Sequence, residues 1–329
     1  MELGGVTFEF FLIFSGAAVF ASVALYTRQP LIISYIALGA VLGPYGISLV
    51  ADPKQLSQIG HIGIIFLLFL LGLDMQPRAL WSTLPTTVLH HRHTGELMIG
   101  LLLLQDLLAI VVLMVLYSAT TESSTSMGME LVRSLLSLPV LVLFALVAVR
   151  YAVLPLITRF DRFHEYIFLL AIGWCLGLAE AAGALGLSEE IGAFIAGISL
   201  ATSPISQYIA VSLKPLRDFF LILFFFAVGA RFDPELLGEI IVPALVLSVL
   251  VLGMKPIVYR YLLKGMSEKS WLAWDLGFRL GQASEFSLLI AYVAVGAALI
   301  SEEASILIQA ITIITLLASS YIVVLNYHT

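Results

Sequence analysis

The chain has 329 residues, 60% of them hydrophobic and 12% charged, with a mean hydropathy of +1.06 and a formal net charge of −6. Soluble domains average nearer half apolar and a quarter charged, and here the apolar residues come in long blocks, so a soluble fold is excluded. The single cysteine, Cys175, excludes an intramolecular disulfide.

A bilayer core takes about 20 apolar residues per helical crossing. Blocks of that kind recur at residues 8–26, 30–49, 58–74, 96–118, 131–157, 165–184, 186–203, 216–231, 239–263, 270–297 and 303–326, eleven predicted spans in all. The opening MELGGVTFEF lacks the basic stretch of a cleavable signal, so the first block reads as a true span. No strict two-residue alternation marks a β-barrel. The predicted fold is therefore all-α and polytopic.

Placing the N-terminus outside puts Arg28, Arg78, Arg92, Arg150, Arg159, Arg162, Lys214, Arg217, Arg260, Lys264 and Lys269 on the inner side. Only Lys54, Arg133 and Arg231 fall on the outer side. That asymmetry predicts an outer N-terminus and a cytoplasmic C-terminus. "FLLFLLGLDMQPRAL" (66–80) and "LILFFFAVGARFDPELL" (221–237) share an apolar run, a glycine, an aspartate, then proline and leucine. On this topology they run in opposite directions, as in the inverted repeats of secondary transporters.

Few ionisable residues stay deep in the spans. Asp106 lies mid-span in "LLLLQDLLAI" (101–110), Lys255 lies within 239–263, and Arg279 and Glu285 lie within 270–297. Each costs at least about 2.5–3.5 kcal/mol at a helix centre unless it faces a partner or water. Asp106–Lys255 and Arg279–Glu285 can be structural ion pairs. The short side chain of Asp106 cannot reach the headgroups, which favours a functional carboxylate. Burial penalises its charged form and a nearby cation favours it, so it can hold a proton or a hard monovalent cation in turn. Gln105 offers a neutral carbonyl to the cation without a second negative charge.

"GQASEF" (281–286) reads as a helix interruption, with Gly281 beside Ser284 and Glu285. Broken helices persist in lipid only where they line a cavity or are buried in protein. His90, His91 and His93 form a basic cluster with no carboxylate or thiol partner, so no metal site is predicted. No phosphate-cradling loop, nucleophile triad or nucleic-acid patch is present, and neither an enzyme nor a nucleic-acid partner is expected.

"RQPLIISYIALGAVLGPYGI" (28–47), "GIIFLLFLLGLDMQPRALW" (63–81), "LLLLQDLLAI", "GLSEEIGAFIAGISLATSP" (186–204), "LKPLRDFFLILFFFAVGARFD" (213–233) and "LGQASEFSLLI" (280–290) resemble the Kef-type monovalent cation:proton antiporters. The resemblance implies that Gln105–Asp106 is the ion-binding motif, with Lys255 pairing the aspartate and Glu285 the acid of a small-residue/Glu-Phe motif. It also implies thirteen spans, an inverted-repeat exchanger fold and a homodimer. A nucleotide-binding regulatory domain or separate subunit often accompanies the family, and on this reading none is expected after "LNYHT". The implied cargo is K⁺ (favoured over Na⁺) and H⁺, with no cofactor.

Two spans of that pattern are missing between Leu84 and Pro85. The repeat gives the same result: Gly72 to Asp106 is roughly 50 residues shorter than the matching stretch after Gly229, enough for two spans. The chain is accordingly read as one membrane transport domain, 1–329, comprising N-terminal spans of the first repeat (1–84), the ion-motif span and its successor (85–160), and the second repeat (161–329). Antiport is the leading expectation. A leak pathway or an inactive truncated paralogue is the alternative that the missing spans raise.

Overall fold

The computed structural model describes residues 6–49, 53–74, 108, 112 and 127–326, apart from 161, 202, 204, 266–269, 285 and 297. Among them the ordered elements are all helices, as the hydropathy blocks predict. In chain order they are α1 (Val6–Tyr26), α2 (Leu31–Leu42), α3 (Pro53–Asp74), α4 (Met127–Ala148), a π-helical turn (Val149–Val153), α5 (Leu154–Arg159), α6 (His164–Ala184), α7 (Glu189–Ala201), α8 (Ser206–Ala230), α9 (Pro234–Gly265), α10 (Ser270–Arg279), α11 (Phe286–Gly296) and α12 (Glu302–Asn326).

Five stretches of the described residues are long and apolar enough to cross a membrane: Thr7–Tyr26, Leu136–Arg159, Glu165–Ala184, Gly238–Lys264 and Glu302–Ile322. Leu31–Leu42, Gly60–Leu73 and Phe286–Gly296 are apolar but shorter. Exposed Val246, Val249, Leu250 and Ile257 on α9 give it the apolar outer face that lipid requires. The predicted span 96–118, the His90–His93 cluster and the junction at Leu84–Pro85 lie outside the described residues.

Several predicted spans change their bounds. The block 30–49 is helical only to Leu42, because Gly43-Pro44-Tyr45-Gly46 turns the chain. The block 186–203 shortens to α7, thirteen residues or about 20 Å of helix. The block 216–231 lengthens to α8 (Ser206–Ala230), since the helix begins ten residues earlier, through Ser206, Gln207, Lys214 and Pro215, which break the apolar run without breaking the helix. The block 270–297 is two helices, α10 and α11.

Local sequence explains the irregular points. Pro30 precedes α2, where its fixed φ of −59° and missing N–H suit a helix start. Arg28 closes α1 with φ 56°, and the Gln29 N–H returns to the Ala24 carbonyl at 2.7 Å, a left-handed helix stop usually given to glycine. The π-helical turn ends just before Pro155, whose ring clashes with a preceding carbonyl in a regular helix.

The chain divides into two compact units. One comprises Ile59–Leu84 and Ile110–Leu221, with a core built on Phe69, Leu141, Ile157, Cys175, Leu178 and Leu200. In it, Gly72 of α3 crosses Gly197 of α7. A Cβ on Gly197 would collide with the Phe69 carbonyl oxygen, and one on Gly72 with the Phe194 carbonyl oxygen. The other unit comprises Met1–Gln58, Pro85–Ala109 and Ile222–Thr329. There Gly229 of α8 crosses Gly39 of α2, with the Ile36 and Phe226 carbonyl oxygens in the same obstructing role. Backbones that approach this closely leave no room for a side chain, the packing that membrane helices favour.

Candidate ion-binding site

The second unit holds the break between α10 and α11. α10 stops at Arg279, and α11 restarts at Phe286. Gly281 is buried at the start of the gap, where a Cβ would stand 3.0 Å from the Gly277 carbonyl oxygen and 3.4 Å from Pro256 Cγ. Pro256 of α9 also fills the space over Gly277, so α9 and α10 pack tightly just before the break. Ser284 ends the gap: its Oγ accepts the Phe286 N–H at 3.2 Å, supporting the first turn of α11.

The polar backbone freed by the break finds partners on two neighbouring helices. Lys255 of α9 is half-buried, and its Nζ donates to the Gln282 carbonyl at 2.5 Å. Thr315 of α12, fully buried, accepts the Ala283 N–H at 3.1 Å, while its own hydroxyl donates to the Thr312 carbonyl at 3.0 Å. Ser319 donates to the Phe278 carbonyl at 3.2 Å. Unpaired backbone groups are costly away from water, and here three side chains satisfy them.

Arg279 Nε donates to Asp275 Oδ1 at 2.9 Å, an ion pair one helical turn apart. The four-residue spacing is the signal for that pair, while the alternative pairing of Arg279 with Glu285 involves a residue outside the described ones. The Arg260 guanidinium lies 4.8 Å from the ring centre of Trp274, which stacks on Phe278 at 5.5 Å. Thus Lys255, Arg279, Gly281 and Ser284 gather around one break. Asp106, Gln105 and Glu285 lie outside the described residues.

Sequence reasoning missed Thr315 and Ser319. Hydroxyls in apolar helices commonly bond back to their own backbone, so nothing in the pattern marks one that reaches across. Among the described residues no group of three His, Cys, Asp or Glu side chains is placed to hold a metal.

Discontinuous membrane helices with satisfied backbone are a feature of secondary transporters. The chain matches the sodium/hydrogen exchanger transmembrane family over residues 11–91 and 84–325, and it belongs to that family. Its relatives include the iron transporter MagA of Paramagnetospirillum magneticum, 26% identical over 347 residues that cover 89% of this chain and 79% of the relative. K(+) efflux antiporter 6 of Arabidopsis thaliana is 23% identical, covering 88% of this chain and 58% of its own. The glutathione-regulated potassium-efflux system protein KefC of Escherichia coli is 27% identical, covering 85% and 54%. The chain thus spans little more than half the length of the latter two. Each alignment is longer than the 329 residues of the chain although only 85–89% of it takes part, so these relatives carry internal residues that it lacks.

Proposed function

We infer that this domain exchanges a monovalent cation, K⁺ in preference to Na⁺, for H⁺ through the buried carboxylate of Asp106. Cation and proton compensate the same acid at different moments, so one must leave before the other binds. Gln105 contributes a neutral ligand, and Lys255 stands by as the charge that replaces a departing passenger. The observation that carries the reading is Lys255, an ammonium group bonded to backbone in a helix break inside a cation:proton antiporter family fold. Glu285 and Arg279 complete the charge balance of the site.

The reading includes an inverted repeat, with α2 and α3 corresponding to α7 and α8. Its support is the pair of glycine crossings, Gly39–Gly229 and Gly72–Gly197, each joining a short helix of one half to the glycine helix of the other. It also includes an outer N-terminus, a cytoplasmic C-terminus, a homodimer, and regulation by a nucleotide-binding domain or subunit.

Two spans are absent between Leu84 and Pro85. The family match restarts at residue 84 after its first segment runs to 91, and the relatives' surplus residues support a loss at that junction. This specific observation favours a second reading, in which the chain leaks cations or does not transport.

Proteoliposomes with an imposed K⁺ gradient test both. Antiport produces a lumenal pH change that Asp106→Asn abolishes. Cation current without a coupled pH change, or no flux at all, overturns it in favour of the second reading.

A further inference from the structure

The apolar crossing Leu136–Arg159 carries a charge well inside it, Arg150. Arg150 sits nine residues before the Arg159 end, about 13 Å along a helix axis. It is exposed, and among the described residues neither an ion pair nor a side-chain hydrogen bond holds it. We propose that Arg150 binds the phosphate of an anionic phospholipid whose acyl chain lies along the exposed row Leu143, Leu146 and Val147.

Depth carries the proposal. A charge at a lipid-facing position needs a counter-charge or water. Snorkelling carries the guanidinium only part of the way to the surface, and a headgroup drawn inward supplies the rest. The planar guanidinium matches a phosphate in two-pronged geometry. The three apolar residues stand seven, four and three positions ahead of Arg150, on its own helix face and on the side of the bilayer centre. Tyr151, 73% exposed, adds a phenol hydroxyl at the same level. Arg159 and Arg162, both exposed, draw anionic headgroups to this end of the crossing.

The backbone has a matching need. Arg150 lies in the π-helical turn Val149–Val153. The Leu154 N–H, which a regular helix gives to the Arg150 carbonyl, goes to the Val149 carbonyl instead. The next N–H in line is missing, because residue 155 is proline. A carbonyl short of a donor within lipid needs water or a hydroxyl, and a headgroup at this depth brings both. The site lies in the unit that contains α4 to α7, and it stands whether or not the chain exchanges ions.

The test is native mass spectrometry of the purified full chain in detergent, titrated with phosphatidylglycerol. Arg150→Gln should weaken the first lipid-binding step about fivefold, the effect of one cationic side chain at an anionic surface. Arg150→Lys keeps the charge without the fork and should fall between the parent and Arg150→Gln. Phosphatidylglycerol should also raise the melting temperature of the parent but not of Arg150→Gln, and phosphatidylcholine should raise neither. Equal lipid binding by the parent and Arg150→Gln overturns the proposal. So does displacement of the lipid by inorganic phosphate, which would make this a site for a free anion. A change of oligomeric state in Arg150→Gln with lipid binding unchanged overturns it too, by putting a second copy of the chain on this face.

Discussion

Thr315 decides whether the break between α10 and α11 is a built feature or a frayed helix. Its hydroxyl is the acceptor for the Ala283 N–H. Valine has the same shape without the oxygen, so Thr315→Val leaves a donor unmatched with no cavity made, at a cost of about 1–3 kcal/mol. Thr315→Ser keeps the oxygen. The valine variant should melt below the parent in detergent and the serine variant near it. Equal melting of all three would mean that the contact holds nothing. His61 poses a related question: its Nε2 meets Glu190 Oε1 at 3.0 Å, and Glu190 is buried while Glu189 stands 3.9 Å from the other ring nitrogen. His61→Ala strips a buried carboxylate of its partner, a loss of about 1.5–3 kcal/mol for a charged hydrogen bond. Adding Glu190→Gln removes the orphaned charge, so the double variant should recover most of the lost melting temperature. A double variant less stable than His61→Ala would refute the pairing. The charged residues of the spans were legible because each contrasts with its apolar surroundings. Thr315 and Ser319 were not, because a hydroxyl that reaches another helix looks like one that satisfies its own.

Between elements, the close crossings are set by what glycine omits. Gly197 and Gly229 each sit against a carbonyl oxygen of the opposing helix, whereas Gly238 and Gly253 on α9 have nothing within 4 Å of an added Cβ. One substitution therefore has opposite signs at the two kinds of site. Gly197→Ala and Gly229→Ala force the backbones apart, an overpacking cost of about 1–3 kcal/mol. Gly238→Ala and Gly253→Ala gain helix propensity of up to about 1 kcal/mol. Thermal melting of the four variants should separate them into two pairs on either side of the parent; all four moving together would leave the crossings without their claimed tightness. Hydropathy found these helices because lipid imposes long apolar blocks, yet it could not find their ends. α2 stops at a glycine and proline turn inside an apolar run, and α8 starts ten residues ahead of its apolar block, through Lys214 and Pro215. The break after Arg279 was legible from Gly281 and its small polar neighbours, since such residues weaken a helix where apolar ones would extend it.

For the whole molecule, membership of the exchanger family was legible in ordered blocks along most of the chain, while transport was not: the relatives carry internal residues that this chain lacks, and ordered blocks do not say whether exchange needs them. The proposed loss of two spans removes an even number of crossings, so it would leave the charge bias of the loops undisturbed and give no warning there. Stoichiometry is where the proposed mechanism commits itself most sharply. One carboxylate without a second acid beside it holds one monovalent cation or one proton, so each cycle moves no net charge. At equilibrium a tenfold K⁺ gradient then balances a tenfold proton gradient, or about one pH unit. A transmembrane potential of 100 mV, worth about 2.3 kcal/mol per net charge moved, leaves that value unchanged. Proteoliposomes containing the chain, and the chain with a relative's two spans inserted between Leu84 and Pro85, provide the measurement. The restored chain should reach about one pH unit per tenfold K⁺ whatever the clamped potential. If the unmodified chain reaches it too, the absent spans are dispensable to exchange. A plateau near half a unit that moves with voltage would require a second proton-binding group, and Asp106 could not be the sole carrier.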